Sequence, residues 1–437
     1  MHDDVTPTPT SGKLVRSVGF WGLAAMVLNG LIGAAIFGFP ANLAANSGGW
    51  APIVVLLVGA AMLPVLLVMA RLSSLFDGTG GPILYVEAAF GKTAAFQIGW
   101  MQVLSTTAAA AANVNLLADY ALRGWGPVGE SPAAHLVIVL LALGLIFVVN
   151  LNRTSGVART LELLSVLKLL PLALLVVLAL PMVITNGGAL PSAEQWSPAK
   201  AALLCAYAFV GFEGALTIAG EARNPQRDMP RALVMVFIGV TLLYALIVWG
   251  YVTTTYMPGK IEKAPLAAMA AILIGSAGAA IILATATISI FANVLNNILF
   301  LSRRLLALEA LDGLPAWLGR VNSTDAVPRN AVIFIMLVVT ALSLSGGFAA
   351  LAVLSVASRL IVYLGCIAAL PVIERQGGHA RSLPGNAVIG AAAITCILLI
   401  AGSELVSWLA MLAAAVIGGV IFMATRAHRH RAALSNG

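Results

Sequence analysis

Apolar runs of nearly membrane-spanning length recur along the whole chain, and they constrain its fold more than any other feature. About 20 helical residues cross the hydrocarbon core of a bilayer, and twelve such runs can be counted. They cover residues 17–45, 50–75, 93–122, 134–151, 158–184, 199–221, 231–256, 267–306, 329–346, 348–372, 386–402 and 405–425. With 60% hydrophobic and 9% charged residues, the chain is too apolar for a soluble domain. Since a backbone in lipid must satisfy its own polar groups, the runs predict an all-α polytopic membrane protein with twelve transmembrane helices.

Basic residues fall mainly on one side of these spans. Cytoplasmic loops retain an excess of Lys and Arg, and a cytoplasmic N-terminus puts eighteen of the 24 on that side. The eighteen are Lys13, Arg16, Arg71, Lys92, Arg153, Arg159, Arg223, Arg227, Arg231, Arg303, Arg304, Arg320, Arg329, Arg375, Arg381, Arg426, Arg429 and Arg431. This pattern predicts cytoplasmic N- and C-termini in a bacterial-type inner membrane. The net charge of +7 is then explained by anionic lipid, without a nucleic-acid partner.

Two of the apolar runs are interrupted near their middles by small residues. Residues 29–37 read N-G-L-I-G-A-A-I-F, and residues 207–214 read Y-A-F-V-G-F-E-G. A helix broken inside lipid leaves backbone N–H and C=O groups for a partner to satisfy. Broken helices at matching positions of two halves mark the substrate site of secondary transporters. The alternative is that these small residues only allow close helix packing.

Broken helices also predict the chemistry of a ligand. Half-helix N-termini carry a partial positive charge that attracts a carboxylate. Carbonyl groups at the opposite ends attract an ammonium group, so the zwitterion of an α-amino acid matches both ends.

Three separated motifs resemble those of the amino acid–polyamine–organocation (APC) transporters. Residues 32–37, I-G-A-A-I-F, are similar to the family's I-G-[ST]-G-I-F. Residues 209–213 lead into G-E-A-R-N-P-Q-R-D-M-P-R-A at 220–232, the family's most recognisable cytoplasmic loop. Ser-Arg at 302–303 leads to D-G-L-P at 312–315, similar to the family's motif after helix eight.

The resemblance implies a 5+5 inverted repeat with discontinuous helices 1 and 6, followed by two C-terminal helices. The first repeat would comprise residues 17–184 and the second residues 199–372, with the two extra helices at 386–425. Residues 1–16 and 426–437 would form short cytoplasmic tails.

The resemblance also implies a substrate site at the two breaks. Its residues would be Ile32, Gly33, Ala34, Ala35, Tyr207, Phe209, Val210, Gly211 and Phe212. The first four would contact the carboxylate, and the residues from Phe209 to Gly211 the amino group. Tyr207 and Phe212 bracket the second break, and in this family the aromatic ring at the Tyr207 position covers the substrate.

This chain departs from the family at the first break. Ala34 replaces the usual Ser or Thr, and Ala35 replaces the usual Gly. The departures leave open a small substrate, a shifted pose, or an amine without a carboxylate.

Lys168 lies well inside a predicted span, where a charge costs about 2.5 to 3.5 kcal/mol on insertion scales. Residues 162–169, E-L-L-S-V-L-K-L, resemble the fifth-helix pattern Q-x-x-x-x-x-K-L of amino acid transporters. In those proteins the lysine ammonium occupies the place of a sodium ion and touches the unwound part of helix one. A desolvated lysine that loses and regains a proton would couple transport to protons. A permanently charged lysine would instead brace helix one, as suits a uniporter or exchanger.

Glu213 and Arg359 are the other intramembrane charges of interest. Glu213 follows the second break and would organise a gate, contact a cationic substrate, carry a proton, or accept freed backbone N–H groups. Arg359 lies near the middle of predicted helix ten and is always charged. Glu213 is the one carboxylate placed near the midplane, so we predict that the two form an ion pair.

Together these features predict a secondary active transporter of small amino acids that works by alternating access, proton-coupled through Lys168. The alternatives are an amino acid exchanger and an amine or polyamine transporter. No nucleophile, phosphate-binding or metal-ligand motif is found in the sequence, so we expect no enzyme activity, no metal and no cofactor besides protons. The expected partners are a small-molecule amino acid and the lipid bilayer.

Overall fold

The computed structural model describes residues 19–76, 81–123, 125–151, 169–186, 192–193, 196–216, 223–320, 328–377 and 383–435. In these ranges the chain is helical and forms no β-sheet. The α-helices are α1 (Phe20–Leu31), α2 (Ala35–Ser47), α3 (Ala51–Leu75), α4 (Pro82–Leu122), α5 (Pro132–Leu151), α6 (Leu169–Asn186), α7 (Pro198–Ala208), α8 (Glu213–Leu216), α9 (Pro225–Thr254), α10 (Pro265–Ala310), α11 (Arg329–Ser345), α12 (Phe348–Gln376), α13 (Leu383–Ala401) and α14 (Leu405–Ser435).

Six helical stretches among the described residues are long and apolar enough to cross a membrane. They are Ala35–Leu75, Pro132–Leu151, Gln226–Thr254, Pro265–Ala310, Phe348–Gln376 and Leu405–Arg431. Large apolar side chains such as Leu141, Leu337 and Met423 are about two-thirds exposed on the outside of the bundle. Apolar surface of this extent is the surface expected of helices that face lipid rather than water.

Two long helices bend at a glycine. Gly91 in α4 has a φ of +79° and Gly275 in α10 a φ of +73°, a conformation that glycine adopts without steric cost. The apolar run at 267–306 therefore contains a bend that its composition does not indicate. Residues on both sides of Gly275 are equally apolar, which is why the run reads as one span in the sequence.

The helices pack so that α4 lies along α12 and α10, while α3 lies along α9. The short helices pack among these: α1 packs on α9, α2 packs on α7, and α7 packs on α3 and α12. Cys205, Cys366 and Cys396 are buried in this interior as free thiols, where they pack as small apolar side chains.

Surface ion pairs form two groups, one at each end of the helices. At the end containing the C-termini of α3, α10 and α14, the pairs are Arg71–Glu374, Lys92–Asp312, Arg429–Glu309 and Arg429–Asp312. At the other end they are Arg123–Glu262, Lys260–Glu262, Lys200–Glu404 and His135–Asp119. Every basic residue of the first group was predicted to be cytoplasmic. Arg123, Lys200 and Lys260 of the second were predicted to be external.

Candidate functional site

The first candidate break lies between α1 and α2. Ile32 N–H donates to the Leu28 carbonyl at 2.8 Å, and Gly33 N–H donates to the Leu31 carbonyl at 2.9 Å. Phe37 N–H then makes the first bond of the next turn, to the Ala34 carbonyl at 3.1 Å. The N–H groups of residues 34–36 precede that bond, so they have no partner within the helix. The positive end of the 13-residue helix α2 is therefore open to an acceptor.

Two buried tyrosines from other helices stabilise the backbone around this break. The Tyr244 hydroxyl of α9 donates to the Leu31 carbonyl at 2.9 Å, at the last residue of α1. The Tyr120 hydroxyl of α4 donates to the Phe37 carbonyl at 2.7 Å, in the first turn of α2. These bonds supply partners for carbonyls on both sides of the interruption, where helical bonding is incomplete.

The second candidate break lies between α7 and α8. Phe209 N–H donates to the Ala206 carbonyl at 3.0 Å, which closes the last turn of α7. Gly211 has a φ of +111°, and its N–H donates to Glu213 Oε2 at 3.0 Å. Phe209 and Phe212 are completely buried. Phe212 stacks on Tyr363, with ring centroids 5.6 Å apart, and Phe209 packs on Phe237, with centroids 5.2 Å apart. Aromatic packing therefore holds both ends of the loop.

The two breaks meet through Gly30 and Gly211. A Cβ atom added to Gly30 would lie 2.7 Å from the Gly211 carbonyl oxygen, and one added to Gly211 would collide with the Gly30 carbonyl. Only glycine fits at either position, so close packing explains these two residues. It does not explain why the N–H groups of residues 34–36 have no partner in the part of the chain that the structure describes.

The predicted ion pair between Glu213 and Arg359 is present. Glu213 Oε1 lies 3.0 Å from Arg359 Nη1, and both side chains are less than a tenth exposed. Glu213 Oε2 accepts the Tyr363 hydroxyl at 2.8 Å in addition to the Gly211 N–H. Arg359 Nε donates to Ser105 Oγ at 3.0 Å. Both charges are thus paired and hydrogen-bonded, as a buried pair requires, and they join the second break to α12 and α4.

A chain of amides connects the second break with the first. The Tyr207 hydroxyl donates to Asn113 Oδ1 at 2.9 Å, and Asn113 Nδ2 donates to Asn293 Oδ1 at 2.9 Å. Asn297 Nδ2 donates to the same oxygen at 3.1 Å. A Cβ atom on Gly33 would lie 3.0 Å from Asn293 Nδ2. The amide chain therefore runs from the end of α7 to the interruption between α1 and α2.

The structure brings most of the predicted site residues together and adds several that the sequence does not reveal. Ile32 to Ala35, Tyr207, Phe209 to Phe212, Glu213 and Arg359 surround the two breaks. Lys168 lies outside the described residues, as do residues 217–222, which include the start of the motif at 220–232. Among the additional residues, Tyr363 follows Arg359 by four positions, which places both on one helix face; that spacing is a usable sequence signal.

Comparison with known proteins assigns this helical, multi-pass architecture to a family. The chain belongs to the amino acid permease family, whose model matches residues 18–403. It is similar to an uncharacterised transporter of Mycobacterium tuberculosis, with 25% identity over 408 residues, 89% of this chain and 88% of the relative. It is also similar to a putative arginine/ornithine antiporter of Escherichia coli K12, with 28% identity and 63% of each chain covered. A cationic amino acid transporter of Arabidopsis thaliana chloroplasts is 29% identical over 59% of this chain and 49% of the relative.

These matches confirm the predicted family and class. The protein is an amino acid transporter of the membrane and not an enzyme, in agreement with the motifs at residues 32–37, 220–232 and 312–315.

Proposed function

We propose that this protein carries small, uncharged amino acids across a bacterial-type inner membrane by alternating access. In this proposal α1 with α2 and α7 with α8 are the discontinuous helices 1 and 6 of two inverted repeats, residues 17–184 and 199–372. Two further helices within 386–425 complete twelve spans, with both termini cytoplasmic. The observation that carries the proposal is that the N–H groups of residues 34–36, beside the second break, have no hydrogen-bond partner among the described residues.

The site has one set of backbone groups for each end of a zwitterion. The substrate carboxylate is assigned to the N–H groups at residues 34–36, where the dipole of α2 is positive. The ammonium is assigned to the carbonyls at the end of α7 and in the following loop, around Phe209 and Val210, where the dipole is negative. Tyr207, held by Asn113, covers the substrate.

The charged groups and the space at the breaks favour a substrate whose side chain is uncharged and small. Glu213 is the carboxylate that the described residues place at the breaks, and both of its oxygens are engaged. A second positive charge on the substrate would have no free carboxylate there to pair with, and burying an unpaired charge is costly. The methyl groups of Ala34 and Ala35 narrow the space beside the backbone, which favours a small side chain.

Proton coupling through Lys168 remains the proposed energy source, supported by the resemblance of residues 162–169 to the fifth helix of amino acid transporters. Exchange of one amino acid for another is the second candidate. It is favoured by relatives whose names describe arginine/ornithine antiporters in Escherichia coli and Latilactobacillus sakei.

Uptake of a panel of labelled amino acids into proteoliposomes tests these proposals. Small neutral amino acids should accumulate when an inward proton gradient is imposed, compared with protein-free liposomes. Lys168→Gln should remove the stimulation by the gradient, while Lys260→Gln, a change at an exposed lysine, should leave it intact. Uptake only into vesicles preloaded with amino acid would establish exchange and contradict proton coupling. Uptake of amines and of no amino acid would contradict the zwitterion site.

A further inference from the structure

Polar residues form matching stripes on the facing sides of α10 and α4. On α10, Asn293, Asn297 and Arg304 lie four and seven residues apart, so they share one helix face. On α4, Asn113, Thr106 and Gln102 lie seven and four residues apart, which also places them on one face. The contacts between the two stripes form two levels: Asn113 bonds Asn293 at one, and Arg304 bonds Thr106 of α4 at the other.

The second level lies toward the end of the bundle that is predicted to be cytoplasmic. Eleven residues separate Asn293 from Arg304, which corresponds to about 16 Å of helix at 1.5 Å per residue. Side chains on a helix lean toward its N-terminus, so the Arg304 side chain extends back from this level toward Asn293 and the breaks.

Arg304 carries a charge that the described residues do not neutralise. Its Nη1 donates to Thr106 Oγ1 at 2.7 Å and to the Gln102 carbonyl at 3.3 Å, both uncharged acceptors. No carboxylate among the described residues lies within ion-pair distance of it. Arg359 donates to Ser105, the residue next to Thr106 on α4, and the Glu213 carboxylate is already bonded to Arg359. The region therefore holds two guanidinium groups and one carboxylate.

Neighbouring Arg303 provides a contrast within the same turn. Both arginines belong to the set that the sequence predicts to be cytoplasmic, but the structure separates them. Arg303 is exposed, whereas Arg304 is partly buried between α10 and α4. An unpaired, partly desolvated guanidinium is costly to maintain in the interior of a membrane protein, and such groups mark ligand pathways.

We infer that Arg304 forms an anion site on the cytoplasmic exit path, which receives the carboxylate of the amino acid after it leaves the first break. Nε and Nη2 of its guanidinium have no partner among the described residues, and guanidinium groups bind carboxylates through paired N–H donors. Buried Leu301 and Ala109 lie between the two polar levels, so the carboxylate is held at one level or the other. This inference depends on the proposed function, because it takes the amino acid as the ligand.

Transport measured separately from each face of the membrane tests the inference. Right-side-out and inside-out vesicles are prepared with the wild type, Arg304→Gln and the control Arg303→Gln, which removes the same charge one residue away. For an amino acid that the wild type carries, Arg304→Gln should raise the KM at the cytoplasmic face about tenfold and leave the external KM within twofold. Arg303→Gln should leave both values within twofold.

Two outcomes would overturn the inference. Equal KM values for Arg304→Gln and Arg303→Gln at the cytoplasmic face would remove the anion site. An equal rise at both faces would make Arg304 a structural residue. If Arg304→Gln does not yield folded protein, Arg304→Lys tests the anion site instead. Lysine keeps the charge but loses the paired N–H donors, so the KM at the cytoplasmic face should rise about threefold. Absence of amino acid transport by the wild type would instead refute the proposed function.

Discussion

The two helix breaks contain similar small residues, yet different interactions stabilise them. At the first break the backbone is held by the uncharged hydroxyls of Tyr244 and Tyr120, and an amide of Asn293 lies against it. At the second break a buried carboxylate, Glu213, accepts the freed N–H of Gly211 and is itself paired with an arginine. At the first break, N–H groups without a partner among the described residues therefore lie beside weak neutral contacts, whereas the second break is bound tightly to α12 and α4.

Because of this difference, the contacts at the two breaks should differ in how much free energy it costs to break them. Neutral hydrogen bonds contribute about 0.5–1.5 kcal/mol each, so they can re-form at modest cost when helices move. Removing one partner of a buried ion pair costs about 3–5 kcal/mol, so separating the second break from the helices that carry Arg359 and Ser105 is expected to cost more. Four substitutions sharpen the comparison, from the largest expected effect to the smallest.

Glu213→Gln should have the largest effect, because it leaves Arg359 buried without a countercharge. The expected loss of stability is about 3–5 kcal/mol, together with loss of transport. Thermal unfolding of the purified variant measures the first effect and proteoliposome uptake the second. Combining it with Arg359→Gln should recover part of the stability but not transport. A single variant as stable as the wild type would show that the pair does not stabilise the second break.

Gly211→Ala should follow, because it places a methyl against the Gly30 carbonyl and forces a non-glycine residue to a φ of +111°. Strain of this kind costs about 1–3 kcal/mol, and separation of the two breaks should lower the uptake rate at least tenfold. Gly239→Ala is the matched control, since nothing lies within 4 Å of its added Cβ in α9. Equal uptake by the two variants would mean that contact between the breaks is not needed.

Tyr244→Phe should have a smaller effect, since it removes one neutral hydrogen bond to the Leu31 carbonyl and keeps the ring. We expect a loss of about 0.5–1.5 kcal/mol in the free energy of unfolding and a partial reduction in uptake. Tyr251→Phe, two turns further along α9, serves as the control because no hydrogen bond of its hydroxyl is found among the described residues. A greater loss from Tyr251→Phe would contradict the role assigned to Tyr244.

Lys200→Gln should have the smallest effect. Its ion pair with Glu404 has the same 3.0 Å separation as the pair at the second break, but the two side chains are 41% and 62% exposed. Exposed pairs contribute about 0–1 kcal/mol, and salt screens them. Thermal unfolding at low and high salt should therefore differ little from the wild type. A loss equal to that of Glu213→Gln would remove burial as the cause of the difference.

The sequence predicts the positions of the interruptions because small residues inside apolar runs are a local signal. It predicts the ion pair because Arg359 needs a carboxylate or several carbonyls, and Glu213 is the one carboxylate that the sequence places near the midplane. It does not predict the partners of the first break. Tyr244 and Leu31 are 213 residues apart in the chain, and nothing local in either segment indicates their contact.

The amides illustrate a second limit. Asn113 and Asn115 are two residues apart in the same apolar helix, and their sequence environments are alike. The structure places Asn113 in the chain that reaches Asn293, while Asn115 bonds the carbonyls of Ser343 and Gly346 at the far end of α11. Helix rotation within the bundle decides which amide faces the breaks, and that rotation depends on packing rather than on local composition.

The most direct test of the zwitterion site is a competition measurement with the purified protein. A labelled small neutral amino acid is bound, and three unlabelled compounds of matched size compete: the same amino acid, its carboxamide, and the amine without a carboxyl group. Displacement by the amino acid alone, at concentrations where the other two have no effect, is the expected result. Equal displacement by the amine would contradict binding of a carboxylate at residues 34–36.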